Sequence, residues 1–310
     1  MSIVRTVLGD IASKRLGICY SHEHVVIRGE FFETHFPEFM LDDLDAISRE
    51  LLDLREVGVG AMIDAMPIDA GRSVRDLAEI SARTGMHIVA ATGLHLRLYY
   101  PTDHWYDTID EDRLVDRMTH EIEVRTEDNG IPTPSRAGVI KVAGSLNRLT
   151  ELEQRNFRAA GRAQHLTGCP ILTHTEQGTA ALEQIRILQS AGADLSSVVL
   201  SHLDRCDDAG YHREVLSTGV KLEYDSAFRW KGERNHTFEL LMQLAPEFPH
   251  SFVLGMDAAK SAYWMSFGGK PGLTYLFVKF APKLLDKGLP NDLVKKIFVD
   301  NPAKAYSFKR

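Results

Sequence analysis

Gly17-Ile18-Cys19-Tyr20-Ser21-His22-Glu23-His24 is a short apolar run that ends in two histidines spaced two residues apart. In an extended chain, residues i and i+2 face the same way, so the run aims both imidazoles at one point, a metal-binding posture. Working outward, seven more short runs follow at 59–65, 87–93, 137–143, 170–175, 197–203, 221–225 and 252–257. Most are continuously apolar rather than alternating, as in strands covered on both faces. Helical patterns separate them. Leu41, Leu44, Ile47, Leu51 and Leu54 mark one helical face, Thr150 and Glu153 form a capping box, and Gly168 lies just past the helix that follows. Leu182, Ile185 and Leu188 mark another helix, 275–285 a further one, and Asn291 and Asn301-Pro302 open the last two. Eight strands alternating with helices predict an α/β fold, a (β/α)8 TIM barrel, with residues 1–310 as a single domain. Residues 4–15 read as a short N-terminal β-hairpin or lid ahead of the first barrel strand. A doubly wound open sheet is the alternative, but no Gly-rich phosphate fingerprint follows the first strand.

Composition narrows the class. The hydrophobic share of 44% and charged share of 25% are those of a globular protein, and the net charge of −7 argues against nucleic-acid binding. Three cysteines, Cys19, Cys169 and Cys206, cannot build a disulfide framework. Met1-Ser2-Ile3-Val4-Arg5-Thr6 lacks the apolar core of a signal peptide, and no apolar run approaches the ~20 residues of a membrane span. The expectation is a cytoplasmic protein that acts on a small molecule and meets neither membrane nor nucleic acid.

In such barrels the chemistry gathers at the C-terminal strand ends. Those ends carry Lys141 on the fourth expected strand, His174 on the fifth, His202 on the sixth and Asp257 on the eighth, beside His22 and His24 on the first. Lys141 precedes His174 by 33 residues, His174 precedes His202 by 28 and His202 precedes Asp257 by 55, so the four occupy equivalent places in successive βα units. Four imidazoles and a carboxylate suit divalent ions, and four imidazoles exceed what one catalytic zinc needs, which favours two. A carbamate formed on Lys141 with CO2 would supply a bridging anion. A Schiff-base role for Lys141 in a non-metal lyase, or a binding protein on the same barrel, is the reading of another class.

His22-Glu23-His24, Lys141, His174-Thr175, His202-Leu203-Asp204-Arg205 and Asp257 together resemble the phosphotriesterase-like branch of the amidohydrolase superfamily. The resemblance extends from about Val7 to Ala305 and takes in Ala137-Gly138-Val139-Ile140-Lys141, Gly268-Gly269 and Asn301-Pro302-Ala303. It implies a metal-dependent hydrolase with two divalent ions, zinc first and manganese or cobalt as alternatives. His22, His24 and Asp257 would hold the buried ion and His174 and His202 the exposed one, with carbamylated Lys141 and a hydroxide between them. The hydroxide would attack a polarised carbonyl or phosphoryl group while Asp257 handles the proton. The expected substrate is a carboxylic ester or lactone, with small N-acyl amides or phosphotriesters as alternatives at the same site. Homodimers are common in the family.

Specificity is expected in the loops after the third, seventh and eighth strands. They contribute Tyr99 and Tyr100, then Arg229 and Trp230, then Lys260 and Trp264, and Arg205 follows the sixth strand. All three tryptophans fall in these loops, which predicts a partly apolar pocket wall. Arg28, Arg97, Arg205, Arg229, Lys231 and Lys260 concentrate cations there, which points to an anionic substrate group as readily as to surface ion pairs. Asp204 and Asp225 are candidates to orient a histidine. Tyr224-Asp225-Ser226-Ala227-Phe228 departs from the Phe-Asp followed by Gly that many relatives carry there.

Overall fold

The computed structural model describes residues 2–232 and 234–309. A hairpin of β1 (Ile3–Thr6) and β2 (Gly9–Ala12) precedes the barrel strands β3 (Ile18–Glu23), β4 (Val59–Asp64), β5 (His87–Val89) and β6 (Ala91–Gly93). A small hairpin, β7 (Glu127–Asp128) and β8 (Ile131–Pro132), comes next, followed by β9 (Val139–Gly144), β10 (Ile171–Thr175), β11 (Val198–Ser201), β12 (Lys221–Tyr224) and β13 (Phe252–Leu254). β3, β4 and β5 pair in that order, and β6, β9, β10, β11, β12 and β13 pair in theirs; every barrel pairing is parallel. β5 and β6 are one expected strand interrupted at Ala90, so eight strand positions remain. The Asp257 amide donates to the His22 carbonyl (3.0 Å), joining the end of the last strand to the first. This is the TIM-barrel arrangement predicted above.

Two apolar layers hold it. Cys19, Ala61, Ile63, Val89, Val139, Leu172, Val199 and Val253 pack together inside the barrel, while Tyr20, Met62, Ile140, Ile171, Leu222 and Tyr224 belong to the larger layer shared with the helices. The expected capping box is present, with Thr150 and Glu153 starting the helix Glu151–Thr167 and Gly168 ending it in a left-handed turn. Asp43 caps Leu44–Glu56, and Ser73 caps Val74–Thr84. Pro290, not Asn291, stands in the cap position before Asn291–Lys295.

The N-terminal hairpin is no lid over the site. Val7 N donates to the Ile88 carbonyl at 2.8 Å, and Val4 and Leu16 join the inner layer beside Tyr306. The hairpin therefore closes the end of the barrel opposite the strand ends that carry the histidines.

Candidate metal centre and cavity

β3 positions the opening histidine pair by an irregularity. Tyr20 packs in the outer layer, and unbroken alternation would send His22 outward with it; a register shift between Tyr20 and Glu23 turns His22 inward. Glu23 then anchors the far side of the seam. Its carboxylate accepts from the amides of Met256 (2.7 Å) and Ala258 (3.3 Å), which fixes Asp257 between them. Asp64 accepts from the amides of Val25 (2.7 Å) and Met66 (3.1 Å) and holds the turn after His24.

The expected residues converge. Asp257 Oδ1 lies 3.0 Å from His24 Nε2 and 3.7 Å from His22 Nε2. Lys141 Nζ lies 3.4 Å from His22 Nε2. Ring centroids separate His22 and His202 by 4.8 Å and His202 and His174 by 4.6 Å. Lys141 is brought this close to the third strand position because Gly93 has no side chain: a Cβ there would stand 2.0 Å from the Lys141 carbonyl oxygen. His202 (φ +69°) and Asp257 (φ +48°) adopt left-handed backbone that side chains seldom take, local strain of the kind that clusters at functional sites.

Electrostatics suit a cation. Burial, with help from Lys141 and His202, pushes His22 well below the usual imidazole range; burial and Arg205 bring His202 down to about 3; burial also lowers His174. These rings are therefore neutral and able to ligate. Burial favours the neutral acid at Asp257, yet Arg229, the bond from His24, His202 and Arg205 hold it well below the carboxylate range. Burial brings Lys141 down to about 8, against the pull of Asp257, Glu223 and Asp225. His22, His24 and Asp257 each offer an atom within 4.8 Å of the others. Two imidazoles facing an ionised carboxylate at that spacing are a donor set that a divalent ion fits.

The backs of two rings are also held. His22 Nδ1 is 2.8 Å from Ser201 Oγ and 3.3 Å from Glu223, and His202 Nδ1 bonds Asp225. Asp225 thus orients the His202 ring. Among the described residues Asp204 touches no histidine in this way and instead accepts from the Ser226 amide (2.8 Å) and from Thr237.

Above these residues opens a cavity of about 530 Å³. His22, His24, His174, His202 and Asp257 floor it, and Lys141 is buried beneath. Its lining combines the apolar or aromatic Tyr99, Phe32, Phe39, Ile27 and Met66 with Arg205, Arg229, Trp230, Lys260 and Tyr263, and the two sets meet where Lys260 Nζ lies 5.0 Å above the Phe39 ring. Arg205 Nη2 donates to Asp257 Oδ2 (2.7 Å) and Asp225 Oδ1 (3.1 Å), and Arg229 Nη2 donates to Asp257 Oδ2 (3.0 Å). These two arginines therefore serve Asp257 as well as facing the cavity. Lys260 pairs with Glu38 at 3.5 Å.

Two expected substrate contacts lie elsewhere. Tyr100 is 2% exposed, its hydroxyl accepting from the His95 amide, and Trp264 is fully buried with Nε1 donating to the Ala258 carbonyl (2.8 Å). Neither lines the cavity; both brace its loops from below. Trp105 bonds Asp69, so among the tryptophans only Trp230 lines the cavity. Arg28 pairs with Asp76 and Arg97 with Asp107, outside it.

Sequence reasoning passed over His95, Glu176 and Glu223. His95 lines the cavity with its ring 5.3 Å from that of His174, and Glu176 bonds His174 Nε2 at 3.0 Å. Their signal was position, just beyond the ends of β6 and β10. Burial and Asp225 push Glu223 well above the carboxylate range, whereas His202 and Arg205, against burial, hold Asp225 well below it.

Barrel, strand-end donors and cavity define a metal-dependent hydrolase. The family model described as the phosphotriesterase family matches residues 2–306, and the chain belongs to that family. A phospho-furanose lactonase of Mycoplasmopsis agalactiae is 29% identical over 98% of this chain and 91% of its own length. An N-acetyltaurine hydrolase of Tetraodon nigroviridis is 28% identical over 99% and 98%. The crystal structure of a lactonase from Listeria monocytogenes superposes with a TM-score of 0.93 at 33% identity, covering 99% of this chain and all of that one. Among the described residues no helix is long and apolar enough to cross a membrane.

Proposed function

We propose that this chain is a dinuclear lactonase whose substrate carries an anionic group, in the class of phosphorylated sugar lactones. His22, His24 and Asp257 would hold one ion and His174 and His202 the other, with carbamylated Lys141 shared between them; zinc suits this donor set, and manganese or cobalt would also fit it. When bound, the ions supply a Lewis acid for the carbonyl and lower the pKa of water.

The chain's own residues do the rest. Asp257, kept ionised by Arg205 and Arg229, accepts a proton at its carboxylate and returns it to the ring oxygen that leaves. Phe32, Phe39 and Tyr99 shield the substrate from water where they line the cavity. Arg229, Tyr263 and Lys260 line the same cavity and offer charge-assisted donors to an anionic arm.

The observation that carries this reading is the cavity over the histidines, whose lining includes Arg205, Arg229 and Lys260 beside the aromatic Phe32, Phe39 and Tyr99. Lactonases among the relatives support the reaction, and the N-acetyltaurine hydrolases, matched over nearly the whole chain, favour a second reading in which a small anionic N-acyl amide is cut. Neutral phosphotriesters would leave Arg229 and Lys260 unused and rank below both. The test is a kcat/KM comparison of the metal-loaded protein on phosphorylated and unphosphorylated sugar lactones, N-acyl amides and phosphotriesters, with His22→Ala as the inactive control. The phosphorylated lactone should lead; a lead for an N-acyl amide transfers the assignment to the second reading, and full activity without metal ends both.

A further inference from the structure

Glu223 has no role in the chemistry so far, yet its setting is unusual. It is fully buried on β12, inside the barrel, and neither carboxyl oxygen has a well-formed hydrogen bond among the described residues. His22 Nδ1 lies 3.3 Å from its Oε2. On its other side is Asp225, which bonds His202 Nδ1; His22, His202, Glu223 and Asp225 all bring side-chain atoms within 4.8 Å of one another. The barrel leaves room for this carboxyl. At Gly255, just past the adjoining strand β13, a Cβ would stand 2.9 Å from Glu223 Oε1 and 2.6 Å from the His22 carbonyl, so any larger residue would collide with both. A polar side chain buried at the cost of its hydration is retained where it has a partner to serve.

We propose that Glu223 is a positioning residue: it braces the His22 ring from behind and, through Asp225, ties that ring to His202, so that one buried carboxyl pair sets the spacing of the two ion positions. The proposal rests on the dinuclear reading above. Its physical content is that a ring presenting Nε2 to an ion carries its proton on Nδ1, and that proton needs a fixed acceptor. Ser201 Oγ is one acceptor at 2.8 Å; Glu223 is the one that also reaches Asp225 and hence the second histidine.

The test compares Glu223→Leu, Glu223→Met and Glu223→Gln. Gln keeps the shape and an acceptor oxygen; Leu and Met fill the volume without one. Zinc affinity is measured by competition with a chromophoric chelator, and the cobalt-substituted protein is followed by its visible absorption. Leu and Met should weaken zinc binding about 10- to 100-fold, as removal of a partner behind a metal-bound histidine does. They should also alter the cobalt bands, while Gln stays close to wild type in both. Melting of the metal-free proteins reads folding separately; if Leu does not fold, Met carries the comparison. Leu and Met binding zinc as tightly as wild type overturns the proposal, and so does Gln failing as badly as Leu. Wild type binding fewer than two equivalents overturns the dinuclear reading instead.

Discussion

Lys141 sets up a quantitative expectation. Its amine must be neutral to take up CO2, and burial brings it from the ordinary 10.5 to about 8. At pH 7 a lysine at 10.5 is neutral in roughly one molecule in 3,000, and one at 8 in about one in eleven, so the site raises the reactive fraction about 300-fold. The sign follows: a lowered pKa favours the neutral amine, so reactive amine declines about tenfold per unit as pH falls below 8 and levels off above about 9. The assay strips the ions and then returns zinc at fixed dissolved 13CO2 across about pH 6 to 9. It follows both the carbamate 13C signal and the return of hydrolysis; Lys141→Met is the blank. Both should rise steeply from pH 6 to pH 8. Reactivation that is indifferent to CO2, or flat over that interval, would refute the carbamate and the burial argument behind it.

Three further outcomes are expected. Lys260→Ala should raise KM about 10-fold for a phosphorylated lactone with kcat nearly unchanged, the low end for a charge-assisted bond because this side chain is partly exposed; equal KM values would remove Lys260 from substrate recognition. Arg72→Ala breaks a buried two-bond pair with Glu121 (2.8 and 2.7 Å) and should cost about 3–5 kcal/mol in denaturant unfolding; a loss under about 1 kcal/mol would show that the pair holds nothing. Trp264→Phe removes the bond to the Ala258 carbonyl and should lower stability by about 1 kcal/mol without changing KM, and a large KM change would contradict its placement beneath the cavity.

The barrel and its metal-competent strand ends were legible because they rest on repetition: eight apolar runs, and polar residues recurring at one position within them. The direction of loop side chains was not. Tyr99 and Tyr100 are neighbours in a loop, yet one faces the cavity and the other takes a bond from His95 N, a difference set by loop packing rather than by any period. Nor did charge in a loop reveal whether Arg229 was free or already bonded to Asp257. Two signals were present and unused. Asn129-Gly130, both with positive φ, is a tight-turn pair that makes the β7–β8 hairpin, whose Asp128 accepts from the Val74 and Arg75 amides at the start of a helix. Lys221-Leu222-Glu223-Tyr224-Asp225 alternates polar with apolar, which places Glu223 and Asp225 on one face; only the barrel shows that this face is the interior.

The plugged floor also governs traffic. Val4, Leu16 and Tyr306 are fully buried at the end of the barrel remote from the cavity, and the Tyr306 hydroxyl is bonded to the Ser21 carbonyl. Substrate and product therefore share the doorway between the loops. Hydrolysing a lactone leaves a hydroxy acid that keeps any anionic arm and gains a carboxylate, so on the proposed reading the spent molecule departs past Arg229 and Lys260. Turnover then becomes a contest between outgoing and incoming anions at one mouth, and added hydroxy acid should inhibit competitively.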